Sequence, residues 1–155
     1  MATRDKIIYD IIRFRGHYNI RATHPTTLEI TKDSWLTPKG DCIIGILSDK
    51  ACSDINEDLK TFIKSGGELV ITLLVGSKSF QFKAFGDRRL TLQDKRSIVI
   101  RKTSFISPRT LAIRSEASAR DIPREMIKLL KKGAEGTLIV SSVKGILSSF
   151  SSIGY

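Results

Sequence analysis

The 155-residue chain is short of most of what announces a chemistry: two cysteines, two histidines, four prolines, one tryptophan, and only 7% aromatic residues. Cys42 and Cys52 make no disulfide framework, and no second Cys or His pair stands at zinc spacing, so no metal site and no cofactor are expected. No P-loop, GxGxxG, HExxH or GxSxG pattern occurs, which removes the familiar signatures of nucleotide, zinc-hydrolase and serine-hydrolase sites. No apolar run is long enough to span a membrane. At the start, Asp10 interrupts the run from Ile7 to Ile12, so no secretory leader is read and the cytosol is the default compartment.

What the chain does have is charge and repetition. The formal net charge is +10. Residues 1–75 hold ten Lys/Arg and ten Asp/Glu, whereas residues 76–155 hold sixteen and six, so the second half carries the whole excess. Gly16 to Lys32 (GHYNIRATHPTTLEITK) returns seventy positions later as Gly86 to Lys102 (GDRRLTLQDKRSIVIRK). Trp35 falls on Phe105 and Pro38 on Pro108; after a three-residue shortening, Asp54-Ile55 falls on Asp121-Ile122 and Gly66 on Gly133. Such self-similarity reads as an internal duplication. Each unit alone is of a size at which a core is marginal, so both are expected to build a single domain over 1–142, from repeats at about 6–75 and 76–141, with 143–155 as a C-terminal tail.

Within each unit the pattern predicts β-β-β-β-α-β. Strands are expected at Lys6–Arg15, Asn19–Thr23, Thr27–Thr31, Cys42–Leu47 (a central strand) and Glu68–Val75. Pro38 to Asp41 reads as a turn in which Gly40 is free to take positive φ. Ile55, Leu59, Phe62 and Ile63 define a helix capped by Ser53 or Asp54, ended by Gly66-Gly67. The second unit repeats the order with strands at Phe80–Phe85, Arg89–Leu92, Ser97–Arg101, Thr110–Arg114 and Gly136–Val140. Its helix runs from about Asp121 to Lys132. Gly76-Ser77 is a two-residue hairpin loop pairing Glu68–Val75 with the next strand. Two-fold symmetry then requires the first strand to pair with the last. The expected fold is α+β: a mainly antiparallel sheet with two helices, the repeats exchanging their first strands. In the tail, Val143, Leu147 and Phe150 would share one face of a helix, which leaves a docking contact and a frayed end both open.

The motifs Gly16-His17, Asn19-Ile20, Ala22 and His24, then Thr27, Glu29 and Thr31, then Leu36-Thr37 and Gly40-Asp41-Cys42-Ile43 resemble the archaeal family known as domain of unknown function 371. The likeness continues through Asp49-Lys50-Ala51 and the second unit to about Val140. It implies an α+β fold and an intracellular archaeal protein, and brings no reaction, ligand or active site.

Two constellations remain. His17, His24, Glu29, Asp41, Cys42 and Asp49 all lie in the first unit, and imidazole, thiol and carboxylate together suit acid–base work or a metal. If the protein is an enzyme or small-ligand protein, His24, Asp41 and Cys42 are the catalytic candidates, because the shortening denies the second unit the same loop. Against this, His17 and His24 fall on Asp87 and Asp94, and what those types share is an ability to bond backbone N–H groups at a turn. Cys42 reads more readily as a strand residue than as a nucleophile.

The other constellation is basic. Arg120, Arg124, Lys128 and Lys131, with Lys132 beside them, form a stripe where the first unit has Ser53, Glu57, Thr61 and Lys64, and Arg88-Arg89 adds a pair. Such a row is a footprint for phosphates, or a solvated helix face. The leading expectation is a non-enzymatic module binding nucleic acid or another polyanion, with no membrane partner and a homo-oligomer open. The rivals are the enzyme just described and a structural or assembly protein.

Overall fold

The computed structural model describes residues 7–142. In chain order the elements are β1 (Tyr9–Arg15), β2 (Thr27–Thr31), β3 (Ile43–Gly45), α1 (Glu57–Lys64) and β4 (Glu68–Val75). There follow β5 (Lys78–Phe85), β6 (Ser97–Arg101), β7 (Thr110–Ala112), α2 (Arg124–Lys131) and β8 (Glu135–Ser142). Single 3-10 turns at Cys52–Asp54 and Ala119–Asp121 precede the helices. The tail and Lys6, the first residue of the expected first strand, lie outside the described residues.

The fold is α+β, with two four-stranded sheets where the sequence suggested one: β1-β8-β4-β5, wholly antiparallel, and β3-β2-β6-β7, mixed. The hairpin at Gly76-Ser77 forms as expected, Val75 facing Lys78 and Gly76 at φ +60°. The first and last strands pair, Tyr9 facing Ser141 and Arg15 facing Glu135. Both central pairings are symmetric under the repeat. Leu69 faces Ser142 as Val75 faces Gly136, and Thr27 faces Arg101 as Thr31 faces Ser97. Single bridges join the sheets at both seams, Arg15 with Ile46 and Phe85 with Ile113. The pairings therefore run as a ring through all eight strands, leaving little unpaired edge for another chain to join.

Alternation places Ile12, Phe14, Leu69, Ile71, Leu138 and Val140 of the first sheet and Leu28, Ile30, Ile98 and Ile100 of the second in one core. Leu59, Ile63, Met126 and Leu130 of the helices join them. The halves fill this core differently. A Cβ on Gly45 or on Gly136 would overlap the Phe14 ring, and the equivalent trio in the other half is Ala84, Ala112 and Leu69. One large ring with two glycines is matched by one leucine with two alanines, so volume is roughly kept while shape is not.

Several sequence expectations need correction. Residues 19–23 and 89–92 are loops, so each half has one strand fewer than predicted. Ile20, Ala22, Leu90 and Leu92 are buried in alternation, as a strand would bury them, but Ala22 and Leu92 have φ of 51° and 53°, which no ladder accommodates. The Cys42–Leu47 strand is three residues long and lies at a sheet end, parallel to β2; it stops because Leu47 takes φ 52°. The turn at Pro38–Asp41 forms without positive φ at Gly40; Gly40 N–H donates to Thr37 O and Ile43 N–H to Gly40 O. The first helix is capped by Asn56, whose side chain accepts from Leu59 N–H, while Asp54 serves the preceding 3-10 turn. The second helix likewise starts at Arg124, after Pro123, and Arg120 belongs to the turn before it.

Exchange of first strands decides what lies against each helix. Gly16, just after β1, packs on the last turn of α2, where a Cβ would overlap the Leu130 carbonyl oxygen. Gly86, just after β5, packs in the same way on Ile63 O at the end of α1. Each helix is thus met by a loop from the other half.

Candidate nucleic-acid interface

The candidate catalytic residues His24, Asp41 and Cys42 are brought together by backbone, but no hydrogen bond joins their side chains. His24 Nδ1 accepts from Thr26 and Thr27 N–H at 3.2 and 3.1 Å, and Asp94 accepts the equivalent pair, Arg96 and Ser97 N–H. His17 Nδ1 accepts from Asn19 N–H at 3.0 Å, as Asp87 does from Arg89 N–H at 2.8 Å. Asp41 meets His24 only through backbone, its carbonyl oxygen accepting from Thr23 and His24 N–H. Asp49 Oδ1 accepts from Arg13 N–H beside a seam. Among the described residues, no three His, Cys, Asp or Glu side chains stand close enough together to hold one ion.

Cys42 turns its thiol to Glu29, donating to Oε1 at 3.4 Å. Burial first, and then the Glu29 carboxylate, pushes its pKa up to about 12. Cys52, donating to Arg109 O at 3.3 Å, is likewise pushed up to about 12, chiefly by burial. Neither is a ready thiolate. From an ordinary 9.0, such shifts cut the thiolate share at pH 8 roughly a thousandfold, and the greater nucleophilicity of a high-pKa thiolate recovers only part of that. With an aromatic disulfide reagent at pH 8, both cysteines are expected to react at least about thirtyfold slower in the native protein than in denaturant. A fast native phase would restore Cys42 as a nucleophile.

Two members of the first constellation, Glu29 and Cys42, do meet, on the outward face of the second sheet, together with an arginine the sequence did not group with them. Glu29 is buried and bridges Cys42 to Arg109, whose Nη1 is 3.4 Å from Oε2. Arg101 donates to Thr110 Oγ1 and Ser107 Oγ and lies 4.9 Å from the Phe105 ring centre. Burial, and next the Arg109 charge, lowers its pKa. A recess of about 300 Å³ lies elsewhere, lined by Tyr9, Asn56, Glu57 and Asp58 at the start of α1, and its acids suit no anion.

The basic residues divide. Arg88 and Arg89 follow Gly86 and so sit by the end of α1, away from α2; Arg89 is held by Asp87 at 3.0 Å, which keeps that carboxyl low and that guanidinium high in pKa. Lys128, Lys131 and Lys132 are exposed on α2 and its C-terminus, and no ion pair to a described residue holds them. Arg120 is exposed too, its backbone N–H donating to His24 O.

Arg124 is a brace. Its guanidinium donates to the carbonyl oxygens of Arg21, Ala22, Ala119, Arg120 and Ile122 at 3.0 to 3.3 Å, tying the first half's loop to the turn before α2. Arg124→Ala is therefore expected to lower stability by about 1 kcal/mol, more than the roughly 0.5 kcal/mol or less of Lys128→Ala. Arg124→Lys should rescue little, since one ammonium cannot span the fork. Urea melts of the three variants provide the comparison.

Two cations join this face from the first half. Arg21 lies where Arg124 grips the loop, and Arg15 donates to Gly133 O at 3.4 Å, just past α2, while approaching Glu135 at 3.6 Å. The exchange of first strands puts both there. Around α2 the chain thus has Arg15, Arg21, Arg120, Arg124, Lys128, Lys131 and Lys132. The equivalent positions around α1 are Phe85, Thr91, Ser53, Glu57, Thr61, Lys64 and Ser65. Of the described helices, neither is long and apolar enough to cross a membrane.

A family model described as domain of unknown function 371 matches residues 12–143. An uncharacterised protein of the archaeon Methanocaldococcus jannaschii is 43% identical over 125 residues, covering 81% of this chain and 93% of the relative.

Proposed function

The chain belongs to the family of domain of unknown function 371, whose description carries no reaction, and we propose from its own residues a module that binds polyanions, nucleic acid foremost, on the face around α2. One observation carries this reading: seven positions around α2 hold cations where their equivalents around α1 hold one, Lys64, and of the other cations there, Lys60, Arg88 and Arg89, two are paired with Glu57 and Asp87. Folding demands no such asymmetry, because the same backbone forms over Phe85, Thr91 and Glu57 on the other side. Within the α2 group Lys128, Lys131 and Lys132, which no described acid pairs, are attractive to phosphates through counterion release. The sequence has no aromatic RNP strand, and its one Gly-x-x-Gly, Gly133 to Gly136, runs straight into β8 and carries the acid Glu135, so the contacts would follow the backbone of the nucleic acid.

The test is a salt series. Replacing Lys128, Lys131 and Lys132 together with Gln is expected to weaken binding of unrelated DNA and RNA alike, and to lower the log–log salt slope by about 2 to 3. Lys64→Gln, at the one cation of α1 whose position is basic in both halves, should lower it by less than about 1. Anisotropy titrations at several salt concentrations read both. If the triple variant keeps the parent's slope, the α2 face is a solvated surface; an absence of binding at low salt removes the proposal.

A further inference from the structure

Beside α2 lies a feature that the net charge does not explain. Tyr18 and Trp35 are 67% and 54% exposed, although they are large rings in ordered contact. His17 stacks on Tyr18 with centroids 4.4 Å apart and planes 22° from parallel; Trp35 meets His17 edge-on at 4.7 Å and Tyr18 at 5.8 Å. The trio is pinned from below. His17 Nδ1 accepts from Asn19 N–H, Asn19 Nδ2 donates to Leu36 O at 2.9 Å, and Leu36 is buried in the core. The two loops that carry the rings are therefore cross-braced while the rings face water, an arrangement that folding alone does not favour.

Its location follows from the exchange. Gly16 packs on the Leu130 carbonyl, so the trio begins one residue from the last turn of α2, and the residues after Leu130 are Lys131 and Lys132. The symmetry-related positions hold Asp87, Arg88 and Phe105, with no aromatic pair. A pair of exposed rings thus stands beside cations at the end of α2, whereas the end of α1 has Arg88, Arg89 and the single exposed ring of Phe105.

Resting on the polyanion reading, we infer that this face takes single-stranded nucleic acid, with unpaired bases stacking on Trp35 and Tyr18 and the backbone running along the α2 lysines. A polyanion without bases gives the rings nothing to bind, and a duplex keeps its base faces stacked inside. Braced aromatic rings beside a basic track are how strands are held irrespective of sequence, each stacked base contributing roughly fivefold to a hundredfold in affinity.

Trp35 is the lone tryptophan, so its emission reports the contact directly. At low salt the full chain is titrated with a labelled oligo(dT), a duplex of equal length and inorganic polyphosphate, alongside Trp35→Ala, Tyr18→Ala and the ring-preserving Trp35→Phe. The expectation is that oligo(dT) quenches Trp35 and polyphosphate does not. Trp35→Ala and Tyr18→Ala should each weaken oligo(dT) roughly fivefold or more, Trp35→Phe should recover most of the loss at its position, and polyphosphate binding should not change. If oligo(dT) binds without quenching and the alanine variants bind it as the parent does, stacking is wrong while the polyanion reading stands. If nothing binds at low salt, both fall. Because the rings are exposed, the variants are expected to fold as the parent does, and a thermal melt of each checks it.

Discussion

Gly16→Ala should cost about 3 kcal/mol or more, a large share of what holds a domain of this size folded. The added methyl would overlap the carbonyl carbon and oxygen of Leu130, and those are backbone atoms of a helix end that no rotamer change can move aside. The Gly16 N–H also donates to Ala134 O at 2.8 Å, so retreat of the loop would break a hydrogen bond as well. Gly86→Ala should behave in the same way against Ile63, with Gly86 N–H donating to Gly67 O at 2.9 Å. Gly66→Ala is the contrast. It has φ +86° and nothing within 4 Å of a new Cβ, so it should cost only about 1 to 2 kcal/mol of conformational strain. Equal losses at Gly16 and Gly66 in urea melts would mean that the loop does not seat on α2 as described.

Asp10→Ala should cost about 2 to 4 kcal/mol. Asp10 is 8% exposed; Oδ1 takes Lys50 Nζ at 2.6 Å and Ile11 N–H at 2.8 Å, and Oδ2 takes Asn56 N–H at 2.9 Å. Lys50 also donates to Ile11 O, and Asn56 Nδ2 to Tyr9 O, so one carboxylate ties β1 to the cap of α1. Its removal strands a half-buried ammonium and an N–H at once. The second half has Phe80, Ala117 and Pro123 at the equivalent positions and needs no such tie. Asp10→Ala/Lys50→Ala should consequently cost less than the sum of its parts, with a coupling of about 1 to 3 kcal/mol in a double-mutant cycle. Additive losses would show that Lys50 finds its stabilisation elsewhere.

The seventy-residue echo carried most of the architecture. Apolar spacing supplied the helices and Gly76-Ser77 the hairpin, and the echo then supplied the pairing of the first strand with the last. What it hid was conformation inside the echo. Ile20 and Ala22 alternate as strand residues do, because two anchors dropped from a loop into a core have the same spacing as a pleat; only the left-handed backbone at Ala22 tells them apart. Cys42 to Leu47 looked central because it is apolar, yet β3 gains its burial from β2 on one side and from α2 and Phe14 on its face, without a second strand ladder.

The site was less legible, for a related reason. His17 and His24 sit on Asp87 and Asp94, and that swap was enough to read turn bonds over catalysis. The basic face, however, was assigned by half. Once first strands cross over, Arg15 and Arg21 belong with α2, and Arg88 and Arg89 belong with α1. Counting charges along the chain also could not show that Arg124 donates to five carbonyl oxygens and so works as a brace as well as a cation. Tyr18 and Trp35 had a visible signal, a pair of rings where the echo has Arg88 and Phe105, but one ring in each loop suggests nothing until Asn19 is seen to lash the loops together.

The pairing of β1 with β8 also sets a clock on the ribosome. At roughly 5 to 20 residues per second, β8 leaves the tunnel on the order of 10 s after β1 does. During that interval the alternating apolar face of Ile12 and Phe14 has no ladder partner, for β1 pairs along its length with β8 alone and meets the second sheet by the single bridge at Ile46. The β4–β5 hairpin can close as soon as it emerges, but β4 gains its second partner only with the same late strand. A chain interrupted before Glu135 therefore has no route to the native ring, and its earliest segment is the one left open to proteases and to other nascent chains.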